Sequence, residues 1–125
     1  SDKNIEKIAE YLDGWAEFYG ANAVLLMNED DIVIGEFSKD DASAKMMNQY
    51  LDELRKLFSV SQKPVILRMN GDLLTFSPLT AGSQNLFLIK YTNDPKITEE
   101  HFTQEIEMKH EKEFEKLLLN FFQKM

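Results

Sequence analysis

The sequence predicts an α+β domain: one five-stranded antiparallel sheet with helices on both faces, in the order α-β-β-α-β-β-β-α, ending in a long C-terminal helix. Three observations predict it. Two segments repeat apolar residues every three or four positions, the period of a helix with one buried face. Five short runs rich in aliphatic and aromatic residues are bounded by turn-forming residues. Two of these runs precede the second periodic segment and three follow it, and the last run leads into a further helical stretch.

Helix one spans residues 2–19, where Ile5, Ile8, Ala9, Leu12, Trp15, Ala16 and Tyr19 form the apolar stripe. Gly20 ends it, because glycine takes the left-handed conformation that closes a helix. Gly14 inside it costs about 1 kcal/mol relative to alanine, which points to close packing there. The run Ala23-Val24-Leu25-Leu26-Met27 is apolar at every position, as in a strand covered on both sides, and Asn28-Glu29-Asp30-Asp31 turns it into Ile32–Phe37.

An aspartate in Ser38-Lys39-Asp40-Asp41 can cap helix two, predicted over Ala42–Phe58 with the face Met46, Met47, Tyr50, Leu51, Leu54, Leu57 and Phe58. Pro64 opens the strand Val65–Met69. Asn70-Gly71 then supplies the two positive φ angles of a type I′ hairpin turn. The returning strand Leu73–Ser77 is expected to end at Pro78, and Leu86–Tyr91 forms a strand buried on both faces. After Thr92–Pro95, with Asp94 and Thr98 as caps, a single helix is predicted from Ile97 to Lys124. At 1.5 Å per residue it would measure on the order of 40 Å and outrun the body. The chain divides accordingly into a sheet domain, 1–112, and an extension of the last helix, 113–125.

Composition narrows the function. Apolar residues make up 43% of the 125, enough to bury a core and to leave the disordered class. Cysteine is absent, which removes disulfides, thiolate metal sites and thiol nucleophiles. The net charge of −8 repels a duplex or an anionic bilayer, so nucleic acid is not expected as a partner. No run approaches the roughly 18 apolar residues of a membrane span, and Ser1-Asp2-Lys3 begins no signal core, so no membrane insertion and a cytoplasmic location are expected.

Within this element order three stretches carry a resemblance: Gly20-Ala21-Asn22-Ala23-Val24-Leu25-Leu26-Met27, then Ile32-Val33-Ile34-Gly35, then Asn85-Leu86-Phe87-Leu88-Ile89. The chain resembles the Roadblock family of dynein light chains, with its profilin-like sheet, over residues 4–110. It departs from the family in lacking a glycine in the Asn28–Asp31 turn and in the charged extension of its last helix. The resemblance implies a non-enzymatic dimer, with itself or with a paralogous Roadblock chain, that regulates a small Ras-like GTPase or scaffolds motor and signalling complexes. In that family the strand after helix two pairs with its copy and helix two packs on its counterpart. Carried over, the dimer interface comprises Val65, Leu67 and Met69 on the strand and Met46, Met47, Tyr50 and Leu54 on the helix. An exposed strand edge carrying Val65, Leu67 and Met69 is an aggregation hazard unless it is paired or covered, and pairing with its own copy satisfies it.

Other constellations are weaker. Glu107-x-x-His110 has the spacing of a carboxylate-bridged metal pair, but no second pair is evident, so no metal is expected. There is no Gly-x-Ser-x-Gly elbow, and Gly14, Gly20, Gly35, Gly71 and Gly82 are too scattered to cradle a phosphate; no catalytic residue and no cofactor are expected. Asp2, Glu6, Glu10, Asp13 and Glu17 fall on a band of helix one about 80° wide, a solvated face or a docking surface for a basic partner. Phe114, Leu118, Phe121 and Phe122, with Leu117 and Met125, crowd the end of the last helix and are expected to meet another chain. The competing reading is a PAS- or GAF-like domain that hides a small molecule in its core.

Overall fold

The computed structural model describes residues 2–106 and 111–124. Helix α1 (Asp2–Tyr19) leads into β1 (Ala23–Asn28) and β2 (Val33–Ser38), α2 (Asp41–Ser61), then β3 (Val65–Met69), β4 (Asp72–Ala81) and β5 (Gln84–Thr92). A short α3 (Glu99–Phe102) and a separate α4 (Glu111–Gln123) follow. All strand pairs are antiparallel and the sheet order is β2-β1-β5-β4-β3, so β2 and β3 are its edges.

Two hydrophobic cores sandwich this sheet. Alternate side chains of each strand point to opposite faces. One face carries Val24, Leu26, Leu73 and Leu88 toward α1, α3 and α4; the other carries Leu25, Leu74, Phe76 and Ile89 toward α2. Ala23–Met27 of β1 are all buried, as the unbroken apolar run requires. Gly35 lets α1 lie close on β2: a β-carbon there would stand 2.7 Å from Leu12 Cδ1 and 2.9 Å from Ile8 Cγ2.

The turns follow local chemistry. Asn70 and Gly71 have φ of 49° and 88°, the positive pair expected of this hairpin. In the β1–β2 turn Asp31 takes the left-handed position at φ 63°, and the Asn28 side chain accepts from the N–H groups of Asp30 and Ile32, both at 2.9 Å. The missing glycine is thus replaced by an aspartate and an asparagine, residues that tolerate such backbones. Asp40 caps α2, accepting from Ser43 N–H at 2.8 Å, and that bond holds its carboxyl below the usual range.

Three expectations need correction. Gly14 is exposed and a β-carbon there would meet nothing, so it marks no close packing. Strand β4 continues through Pro78 to Ala81, because β3 pairs only as far as Phe76 and beyond it β4 is itself an edge, where a missing N–H costs no ladder bond. The single long C-terminal helix does not exist. Residues 103–106 leave the helical path after α3, and α4 packs back on α1 with Phe114, Leu117 and Leu118 buried. The carbonyl of Phe102 accepts from Lys90 Nζ and that of Gln104 from the Tyr19 hydroxyl, so side chains far away in sequence occupy acceptors that a continuing helix would use. The Glu107-x-x-His110 spacing and Met125 lie outside the described residues.

Candidate interaction surface

The sheet has an open edge at β3, whose only strand partner among the described residues is β4. Its side chains alternate: Val65 and Leu67 join the α2 core, while Ile66, 45% exposed, faces the other side. Above the first face, α2 rests on Met47 and Leu54, both fully buried. At about 100° per residue, Met46, Tyr50, Leu57 and Val60 fall on one flank of that buried line and Arg55 on the other. Arg55 is fixed: its Nε lies 3.1 Å from Asp31 in the β1–β2 turn and its Nη2 donates to the Met27 sulfur at 3.7 Å. The apolar flank therefore faces away from the β1–β2 turn, and it leaves Leu57 and Val60 exposed, the latter at 88%.

Solved structures share this arrangement of helices and strands. MglB of Myxococcus xanthus aligns over 96% of this chain and 90% of its own, with 14% identity and a TM-score of 0.52. The gliding protein MglB of Thermus thermophilus aligns over 98% and 93%, with 13% identity and a TM-score of 0.58. A structure described as MglB with tetrameric arrangement aligns over 97% and 91%, with 14% identity and a TM-score of 0.58. The chain has the Roadblock fold. No protein-family model and no curated protein matches the sequence, so the Roadblock likeness rests on backbone shape rather than on residue identity.

Within the Roadblock fold the expected interface residues separate into two groups. Met47, Leu54 and Val65 are buried inside this chain and hold α2 to the sheet, so none is free to contact a partner; this corrects their assignment to an interface. Met46, Tyr50 and Leu67 are half-buried at the margin of the same core, and Met69 is exposed. Leu57, Val60 and Ile66 belong with them as exposed apolar neighbours. The periodicity of helix two contained Leu57, but Val60 and Ile66 carry no signal in the sequence that separates them from core residues.

The α1 acids Glu6, Glu10, Asp13 and Glu17 are all exposed along the helix. The tail is a correction. Phe114 packs its ring 4.9 Å from Tyr11 and 5.5 Å from Trp15, and Leu118 is fully buried, because the chain turns after α3 and lays α4 on α1. Phe121 and Phe122 pack against the same core and stay partly exposed. Burial and the nearby Glu113 carboxylate raise the Tyr11 hydroxyl pKa. Among the described residues no group of three acidic or histidine side chains could hold a metal, and no helix is long and apolar enough to cross a membrane.

Proposed function

We propose that the chain is a non-enzymatic scaffold or regulator that works as a dimer, with itself or with a paralogous Roadblock chain, and engages a small Ras-like GTPase or a motor or signalling complex. The observation that carries this reading is the open β3 edge beside the apolar flank of α2 in a Roadblock fold. An edge of unpaired N–H and C=O groups is a template for another strand, and the exposed Met69, Leu57 and Val60 add apolar area that a second copy in isologous contact would bury. The carboxylates of Glu6, Glu10, Asp13 and Glu17 supply a separate acidic face for a basic partner. Phe121 and Phe122, partly exposed on α4 beside α1, can extend that acidic face.

The test is a binding measurement with small Ras-like GTPases of the source cell, each loaded with GDP or with a non-hydrolysable GTP analogue. The reading expects one of them to co-elute with the chain in a nucleotide-dependent manner. Co-elution that ignores the nucleotide, or none with any GTPase, contradicts the GTPase part of the proposal.

A further inference from the structure

A cavity of about 520 Å³ lies on the opposite face of the sheet from α2, between β3–β5 and residues 103–106. Its walls are mostly apolar, including Ile66, Pro78, Leu88 and Ile106, and Lys90 and Tyr19 line it as well. The volume is in the range that holds a small organic molecule.

Lys90 is 3% exposed, and its Nζ sits 3.4 Å from the centroid of the Tyr19 ring while donating to the Phe102 carbonyl. An ammonium has three donors, and among the described residues no carboxylate forms an ion pair with this one. A buried cation with no counter-ion is costly. Thr75 adds a second, independent sign. It lies in register between Ile66 of β3 and Lys90 of β5, two residues that line the cavity, and its hydroxyl is buried with no hydrogen-bond partner. Thr75 and Lys90 thus sit side by side on the face of the sheet that floors the cavity, both with unused hydrogen-bonding capacity, among the apolar Ile66 and Leu88 and the hydroxyl-bearing Ser77.

We propose that this cavity binds a small monocarboxylic acid with an apolar tail, its carboxylate paired with Lys90 and its tail laid along Ile66, Pro78 and Leu88. The carboxylate would supply the counter-ion that Lys90 does not find among the described residues. Glu105 is the other charged residue lining the cavity, and it is exposed at the mouth; His101 stands beyond Tyr19, with ring centroids 6.2 Å apart. Tyr19 stays a neutral phenol, since burial and Glu105 push it up to about 12. Burial lowers Lys90 to about 7, so binding is strongest between that value and the ligand's own carboxyl titration at about 4–5, where both groups are charged, and at pH 8 binding draws a proton into the complex.

The experiment titrates the intact chain with octanoate and with octanol by calorimetry. At pH 6.5 the proposal expects octanoate to bind about tenfold more tightly than octanol, the effect of one charge-assisted hydrogen bond. Lys90→Met should abolish that preference. At pH 8, buffers of different ionisation enthalpy should report net proton uptake on octanoate binding, a readout that stands even if the variant does not fold. Equal binding of acid and alcohol, no octanoate binding in the millimolar range, a preference that survives Lys90→Met, or no proton uptake overturns the proposal.

Discussion

Arg55 Nε, on the middle of α2, lies 3.1 Å from the carboxylate of Asp31, whose own backbone is left-handed at φ 63°. One residue therefore turns the β1–β2 hairpin and ties it to the helix above the sheet. The two contributions can be separated. Asp31→Ala keeps the strained backbone and loses the ion pair, while Asp31→Gly loses the pair but removes the steric cost, which is about 1 kcal/mol for a side chain in this region. The pair is half-exposed and contributes roughly 0–1 kcal/mol. Urea denaturation should place Asp31→Gly about 1 kcal/mol above Asp31→Ala. Equal stabilities would show that the backbone at this turn relaxes.

The close approach of α1 to β2 makes a sharper prediction. A β-carbon at Gly35 runs into Leu12 and Ile8, so Gly35→Ala should cost about 1–3 kcal/mol by overpacking. Adding Leu12→Ala should cost less than the sum of the two single changes, because the shortened side chain makes room. Strict additivity in thermal melts would mean that the clash is not with Leu12.

Phe114 is core. Phe114→Ala should cost about 3–5 kcal/mol, and a chain lacking residues 111–125 should lose its cooperative melt, since Leu117 and Leu118 leave with it. A truncated chain that melts cooperatively at the original temperature would place α4 outside the fold.

Stability should also depend on Lys90. Its folded value of about 7 lies below the ordinary 10.5, so between these values the unfolded chain binds more protons and stability rises with pH. From pH 7 to 9, below the titration of Tyr19 and Tyr91, both pushed up to about 12, the parent chain should gain stability relative to Lys90→Met. Parallel pH profiles would show that the amine carries no burial penalty.

These tests follow the line between what the sequence shows and what it hides. Asn70-Gly71, the apolar run Ala23–Met27 and the stripe of α1 are local signals, and local chemistry decides them. The open edge at β3 was legible through the family resemblance. The end of α3 was not: no glycine or proline marks it, and Lys90 and Tyr19, 12 and 85 residues away, occupy the carbonyls of Phe102, its last residue, and of Gln104 just beyond it. Pro78 misled for a similar reason, since its tolerance depends on β3 being shorter than β4. Periodicity on α2 found the buried line of Met47 and Leu54, but an apolar stripe alone does not tell which of its members face the sheet and which face a partner.

The most direct test of the central claim is the mass of the chain in solution, by light scattering across a range of concentrations, beside that of Leu67→Lys. The account predicts twice the 14.5 kDa of one chain for the parent and a folded monomer for the variant, because a lysine at the margin of the β3 edge opposes pairing. A parent chain that remains at 14.5 kDa at high concentration would contradict it.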